Sequence, residues 1–69
     1  MGNKILTKRE KEVFSLLIRD NTTRDIANKL NISEKTVRNH ISNVIQKLDV
    51  TSRSSAIIEL LKLKEIELD

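Results

Sequence analysis

The stretch "SEKTVRNHISNVIQKL", residues 33–48, places Lys35, Arg38, Asn39, Ser42 and Gln46 where a helix would gather them along one side. These side chains share a chemistry. An arginine fork can chelate guanine O6 and N7, Asn and Gln can chelate adenine, and Lys and Ser adapt to several base edges. The stretch holds one carboxylate, Glu34, at its start. A solvated helix face normally mixes Lys with Glu, because opposite charges one turn apart help the helix. A face of cations, amides and hydroxyls suits a polyanionic groove, whose phosphates would repel carboxylates. Glu34 is compatible with that reading, since a helix N-terminus favours negative charge.

All five residues of this strip, Lys35, Arg38, Asn39, Ser42 and Gln46, are on this reading candidates to meet base edges. Beside it run Thr36, His40, Asn43 and Lys47, whose donors can hold phosphate oxygens and fix orientation rather than read sequence. Thr22 and Arg24, near an upstream helix start, are further backbone candidates, and Arg24 is just as well a solvated charge. Lys8, Arg9 and Lys11 are equally well ordinary solvated charges. His40 is the only histidine; its alternative is a boundary residue packed on the second helix. With no Cys, no second His and no convergent acidic pair, neither a catalytic centre nor a metal or cofactor site is expected.

The elements that must position these residues follow from caps and periodicity. Thr7 with Glu10 has capping-box spacing and opens a helix over about 8–19, with Val13, Phe14, Leu16, Leu17 and Ile18 on its apolar face. Asp20 or Asn21 ends it in the left-handed conformation that Gly usually takes. Thr22 with Asp25 repeats the box for a short helix over 23–30, with Ile26, Ala27 and Leu30 inward. Asn31 breaks that helix and Ile32 plugs into the core. Ser33 caps a third helix over 34–48, whose stripe is Val37, Ile41, Val44 and Leu48. Asp49 ends it, Val50 packs back, and Thr51 or Ser52 caps a fourth helix over about 53–64. A short helix, a tight turn and a longer amphipathic helix make a helix-turn-helix. The fold class is all-α, with four helices in one domain over residues 1–69.

The fourth helix has an apolar arc of about 220°, against the roughly 100° that a core-facing helix needs. Either the tail and first helix wrap it, or part of it meets another chain. Ile57 and Leu61 are assigned to the domain's own core by their one-turn spacing. Ile58, with Leu61 and Glu65 along the same side, is the candidate seam of a homodimer.

Composition sets the outer bounds. The chain has 69 residues, no Cys or Pro, one Gly and one aromatic, Phe14. Its core must therefore be aliphatic and free of disulfides. Residues 1–53 hold 11 Lys/Arg against 6 Asp/Glu, whereas residues 54–69 hold 2 against 4. A basic body with an acidic tail fits a polyanion partner that the tail does not touch. No apolar run approaches membrane-spanning length and nothing resembles a signal peptide, so no membrane partner and a cytoplasmic location are expected.

"LTKREKEVFSLL", "IANKLNISEKTVRNHISNVIQKLDV" and "RSSA" resemble the LuxR-type helix-turn-helix module found at the end of many bacterial response regulators. The likeness covers about residues 6–58, and "SEKTVRNH" followed by "KL" and R-x-x-A is specific. The resemblance implies a four-helix fold, the third helix in the major groove of double-stranded DNA, and dimerisation through the fourth. Carried over by position, it implies base contacts from Arg38, Asn39 and Ser42, with backbone contacts from Lys35, Thr36, His40, Asn43 and Lys47. Asp49, Asp20-Asn21 and Asn31 stand where the family commonly has Gly. Through "ISEKTVRNHISN", "QKL", "ELL" and "EIEL" the sequence also resembles stand-alone members of the family from spore-forming bacteria, which implies action late in sporulation on spore-coat genes. RNA polymerase is the further partner such a regulator would touch. A phosphorylation-controlled receiver domain does not fit in 69 residues. The expectation is thus a dimeric, sequence-specific transcription regulator. Its rivals are the DNA-binding output domain of a longer response regulator and, from another class, a helical adaptor that binds protein through its fourth helix.

Overall fold

The computed structural model describes residues 5–67; the expected domain over 1–69 extends beyond them at both ends. Among these residues four helices form: α1 (Lys8–Leu17), α2 (Thr23–Leu30), α3 (Glu34–Leu48) and α4 (Arg53–Lys62). Every helix starts on a hydroxyl. Thr7, Thr22, Ser33 and Ser52 each accept a hydrogen bond from the backbone N–H three residues on. Glu10 and Asp25 complete two capping boxes by accepting from the backbone N–H of Thr7 and Thr22. The Thr22 backbone N–H, then its side chain, hold the exposed Asp25 carboxyl below its ordinary pKa.

Every helix also stops in the same way. Asp20, Asn31, Asp49 and Lys64 have φ of 66°, 58°, 55° and 59°. Each donates its N–H back to a carbonyl three residues earlier, and the next residue donates to one five residues earlier. This is the Schellman motif, which normally recruits glycine because a Cβ crowds the left-handed backbone. Asp and Asn tolerate the conformation best. Asp20, Asn31 and Asp49 stand where the sequence places the stops. α1 ends two residues before the expected Arg19, because the stop at Asp20 draws Ile18 and Arg19 into the turn.

Lys64 marks a difference from the sequence-based expectation. It turns the chain out of α4 and delivers Ile66 into the core, where it is 2% exposed. That buries part of α4's wide apolar arc beneath its own tail. On α4 itself, Ala56 and Leu60 are fully buried, while Ile57 and Leu61, assigned to the core, are only half-buried against it. The helical stripe has therefore rotated by one position. Ile58 and Leu63 remain 56% and 45% exposed.

The core joins all four helices through Val13 and Phe14, Ile26 and Ala27, Val37, Ile41 and Val44, and Ala56 and Leu60, closed by Leu6 and Ile66. α3 lies against each of the other three helices. Half-buried Ile32 and Val50, following the stops of α2 and α3, pack on its margin.

One charge is buried with this core. Glu10 is 3% exposed, and its Oε1 accepts from the Lys47 ammonium at 2.5 Å as well as from the Thr7 N–H at 3.0 Å. Lys47 also donates to the Ile5 carbonyl at 3.3 Å. Burial pushes the Glu10 carboxyl up. The hydrogen bond from Lys47, the Thr7 backbone N–H and the lysine charge outweigh it and hold the pKa below the ordinary glutamate value.

Two stability predictions follow from caps and core. Lys64→Gly removes a Cβ from the left-handed region and should stabilise the domain by about 1 kcal/mol, raising the thermal midpoint by roughly 4–8 °C. Lys47→Met should cost about 1–3 kcal/mol at neutral pH, because it strands a buried carboxylate whose partner is only partly screened by water. The sign with pH is fixed. The folded pKa of Glu10 lies below its unfolded value, so its contribution is complete above the unfolded pKa and is lost as pH falls through the folded one. Without the lysine, burial favours the protonated acid. Urea midpoints of the two proteins should therefore converge between neutral pH and about pH 3.

Candidate nucleic-acid interface

α3 faces two ways. Its buried stripe of Val37, Ile41 and Val44 fixes the rotation of the helix, so the opposite side must point outward. On that side Lys35, Arg38, Asn39, Ser42 and Gln46 are all exposed. Eleven residues of rise separate Lys35 from Gln46, about 16 Å along the axis, or roughly five base-pair steps. Lys35, Asn39, Ser42 and Gln46 make no side-chain hydrogen bond or ion pair among the described residues. Their donors and acceptors are left for solvent or a ligand.

Arg38 differs. Its Nη2 donates to Glu34 Oε1 at 3.1 Å, one helical turn back. The same carboxylate lies 3.9 Å from Arg24 Nε and accepts from the Thr23 hydroxyl at 3.5 Å. Glu34 therefore ties the start of α3 to the start of α2. The Glu–Arg spacing of four was legible in the sequence; the reach across to α2 was not.

The flanking strip is less uniform. Asn43 is exposed, whereas Thr36 and His40 are half-buried. The Thr36 backbone N–H donates to Ser33 Oγ, and its hydroxyl is 2.9 Å from the same oxygen, so Thr36 first serves the cap. His40 sits at the boundary between core and surface. The Thr22 hydroxyl accepts the Asp25 N–H and so first serves the cap of α2. Arg24, with its side chain 80% exposed, stands at the same end as Glu34.

Lys47, expected among the phosphate contacts, is exposed but also gives two of its three N–H donors to Glu10 and Ile5. Glu65 moves. The expected helix would carry it on the side of Ile58 and Leu61, but α4 stops at Lys62 and the left-handed Lys64 redirects the chain. Glu65 then lines a cleft with Lys8, Lys11 and Lys64, beside α1.

Among the described residues no group of His, Cys, Asp and Glu is arranged to hold a metal ion, and no helix is long and apolar enough to cross a membrane. What the exposed strip can do is hydrogen-bond, with both donors and acceptors, over the length of a groove.

Comparison with known proteins gives this geometry a context. The family described as bacterial regulatory proteins, luxR family, matches residues 4–60. The chain is 64% identical over 64 residues to spore germination protein GerE of Bacillus subtilis, covering 93% of this chain and 86% of that one. It is 48% identical over 58 residues to the transcriptional regulatory protein DegU of Brevibacillus brevis, where it spans 84% of this chain but only 25% of the relative. Among solved structures, that of the transcription factor GerE superposes with a TM-score of 0.94 at 63% identity, covering 97% of this chain and all of the other. The family and these relatives bear the names of regulators of transcription.

Proposed function

The chain belongs to the luxR family of bacterial regulatory proteins and is a DNA-binding transcription regulator; on that premise we propose how it reads its operator. α3 lies in the major groove, and Arg38, Asn39 and Ser42 meet base edges. Lys35, Thr36, His40, Asn43, Thr22 and Arg24 hold the phosphates on either side. Lys47 adds to the positive field while anchored on Glu10. The observation that carries this reading is the outer strip of α3: exposed, rich in hydrogen-bonding groups and, apart from the Glu34 end, without internal partners.

Two copies bind together. Among the described residues Ile58 on α4 is the most exposed large apolar side chain, and Leu61 lies one turn away on the same side. A two-fold seam here uses each residue twice. It would place the two α3 helices on half-sites centred roughly 10 base pairs apart. Glu65, beyond the turn at Lys64, lines the cleft beside α1. The likeness to a spore germination protein over most of both chains supports a role in the cytoplasm late in sporulation, on spore-coat genes, with RNA polymerase as a further partner.

The reading predicts an affinity that falls steeply with salt, with a log–log slope of roughly −0.9 per phosphate neutralised. Arg38→Ala should cost about 1–3 kcal/mol on the preferred duplex and relax the preference at one base pair. Titrations of the preferred and scrambled duplexes at several salt concentrations measure both. A flat salt dependence would favour the helical adaptor instead. Ile58→Lys should give folded monomers that bind one half-site weakly and lose the cooperative full-site complex. Sedimentation equilibrium alongside circular dichroism separates that outcome from unfolding.

A further inference from the structure

Glu34 is the one acid within α3, whose open strip is proposed to meet DNA, and it has contacts on two helices. Its Oε1 takes Arg38 Nη2 at 3.1 Å and the Thr23 hydroxyl at 3.5 Å, and Oε2 lies 3.9 Å from Arg24 Nε. The side chains of Arg38 and Glu34 are 61% and 38% exposed. An ion pair so open to water contributes little to folding. Its effect on binding is a different matter. Arginine offers five N–H donors in a planar fork, and this contact uses one edge of it. The remaining donors stay available for a guanine edge, while the long side chain no longer samples its full set of rotamers.

We infer that Glu34 is a positioning residue that sharpens discrimination by holding Arg38 toward the bases and lowers affinity for non-target DNA by placing a negative charge near the phosphates. The inference rests on Arg38 being a base-edge reader. Its two effects both raise specificity by different physics. Ordering the arginine before binding reduces what the specific complex must immobilise. The carboxylate, within a Debye length of both groove walls, offsets part of the non-specific attraction that Arg24 and Arg38 supply.

The test uses the full chain and three defined duplexes: the preferred site selected from a random pool, that site altered at the base pair assigned to Arg38, and a scrambled sequence. The proteins are wild type, Glu34→Gln, Glu34→Asp, Arg38→Ala and the Glu34→Gln/Arg38→Ala double variant, with thermal midpoints as a folding control. Glu34→Gln should bind the scrambled duplex more tightly, with a salt slope steeper by up to about one unit. Its discrimination at the Arg38 base pair should fall about three- to tenfold, the factor corresponding to one arginine released from order. In the Arg38→Ala background the same change should leave discrimination unaltered, whereas a merely structural role would act in both backgrounds. Glu34→Asp keeps the charge at the helix N-terminus but withdraws it from Arg38. It should lose discrimination without the gain on scrambled DNA, and it decides the matter if the glutamine variant does not fold. Unchanged discrimination in a folded Glu34 variant, with Arg38→Ala still relaxing the preference, overturns the inference and leaves the base reading intact. If Arg38→Ala weakens all three duplexes equally, the base reading itself fails.

Discussion

A carboxylate buried to 3% exposure must find a cation, and in this chain that requirement orients the molecule. Glu10 serves two structures at once. Within α1 it closes the capping box on Thr7; across the core it receives Lys47 from the last turn of α3. The pair locks the start of α1 to the end of α3, and Ile5 joins through its carbonyl. α3 is thereby held at both ends, because Glu34 ties its first turn to α2. Between those ends, three buried aliphatic residues fix its rotation. On the proposed reading, such supports set the accuracy with which α3 presents its row of side chains to a groove, since rotation about its own axis would misplace them together.

Much of this was legible in the sequence because the local signals are strong. Four hydroxyl caps, two of them with an acid three residues on, mark the helix starts to within a residue. Asp20, Asn31 and Asp49 mark three stops through their tolerance of positive φ. Lys64 carries no such signal. Lysine is an ordinary helix former, and the stop there goes with the burial of Ile66 two residues on. Tertiary packing overrides local propensity at that point, and the rotated stripe of α4 follows from it.

The interface was legible in part. Exposure of the strip on α3 follows from periodicity once the buried stripe is known, and all five members are exposed. The pairings were not. Lys47 reads as one more cation on a basic helix, and nothing in its neighbourhood of sequence announces a buried acid 37 residues away. Glu34 reads as a favourable charge at a helix start, but its contacts with Thr23 and Arg24 depend on how α2 and α3 meet. Long-range ion pairs are set by the packed fold, and a single sequence does not display them.

The division of α3 into a buried stripe and an open strip has a consequence for descent. Val37, Ile41 and Val44 bear the fold, so change there is penalised by lost packing. Asn39, Ser42 and Gln46 touch no other described side chain through a polar contact, and substitutions at such positions usually alter stability by less than about 0.5 kcal/mol. The two sets interleave on one helix yet answer to separate selection. If the open strip reads DNA as proposed, a duplicated copy of the gene can explore new targets one exposed residue at a time while its scaffold stays intact. A lineage can rewire its regulatory connections faster than it remodels the protein that makes them.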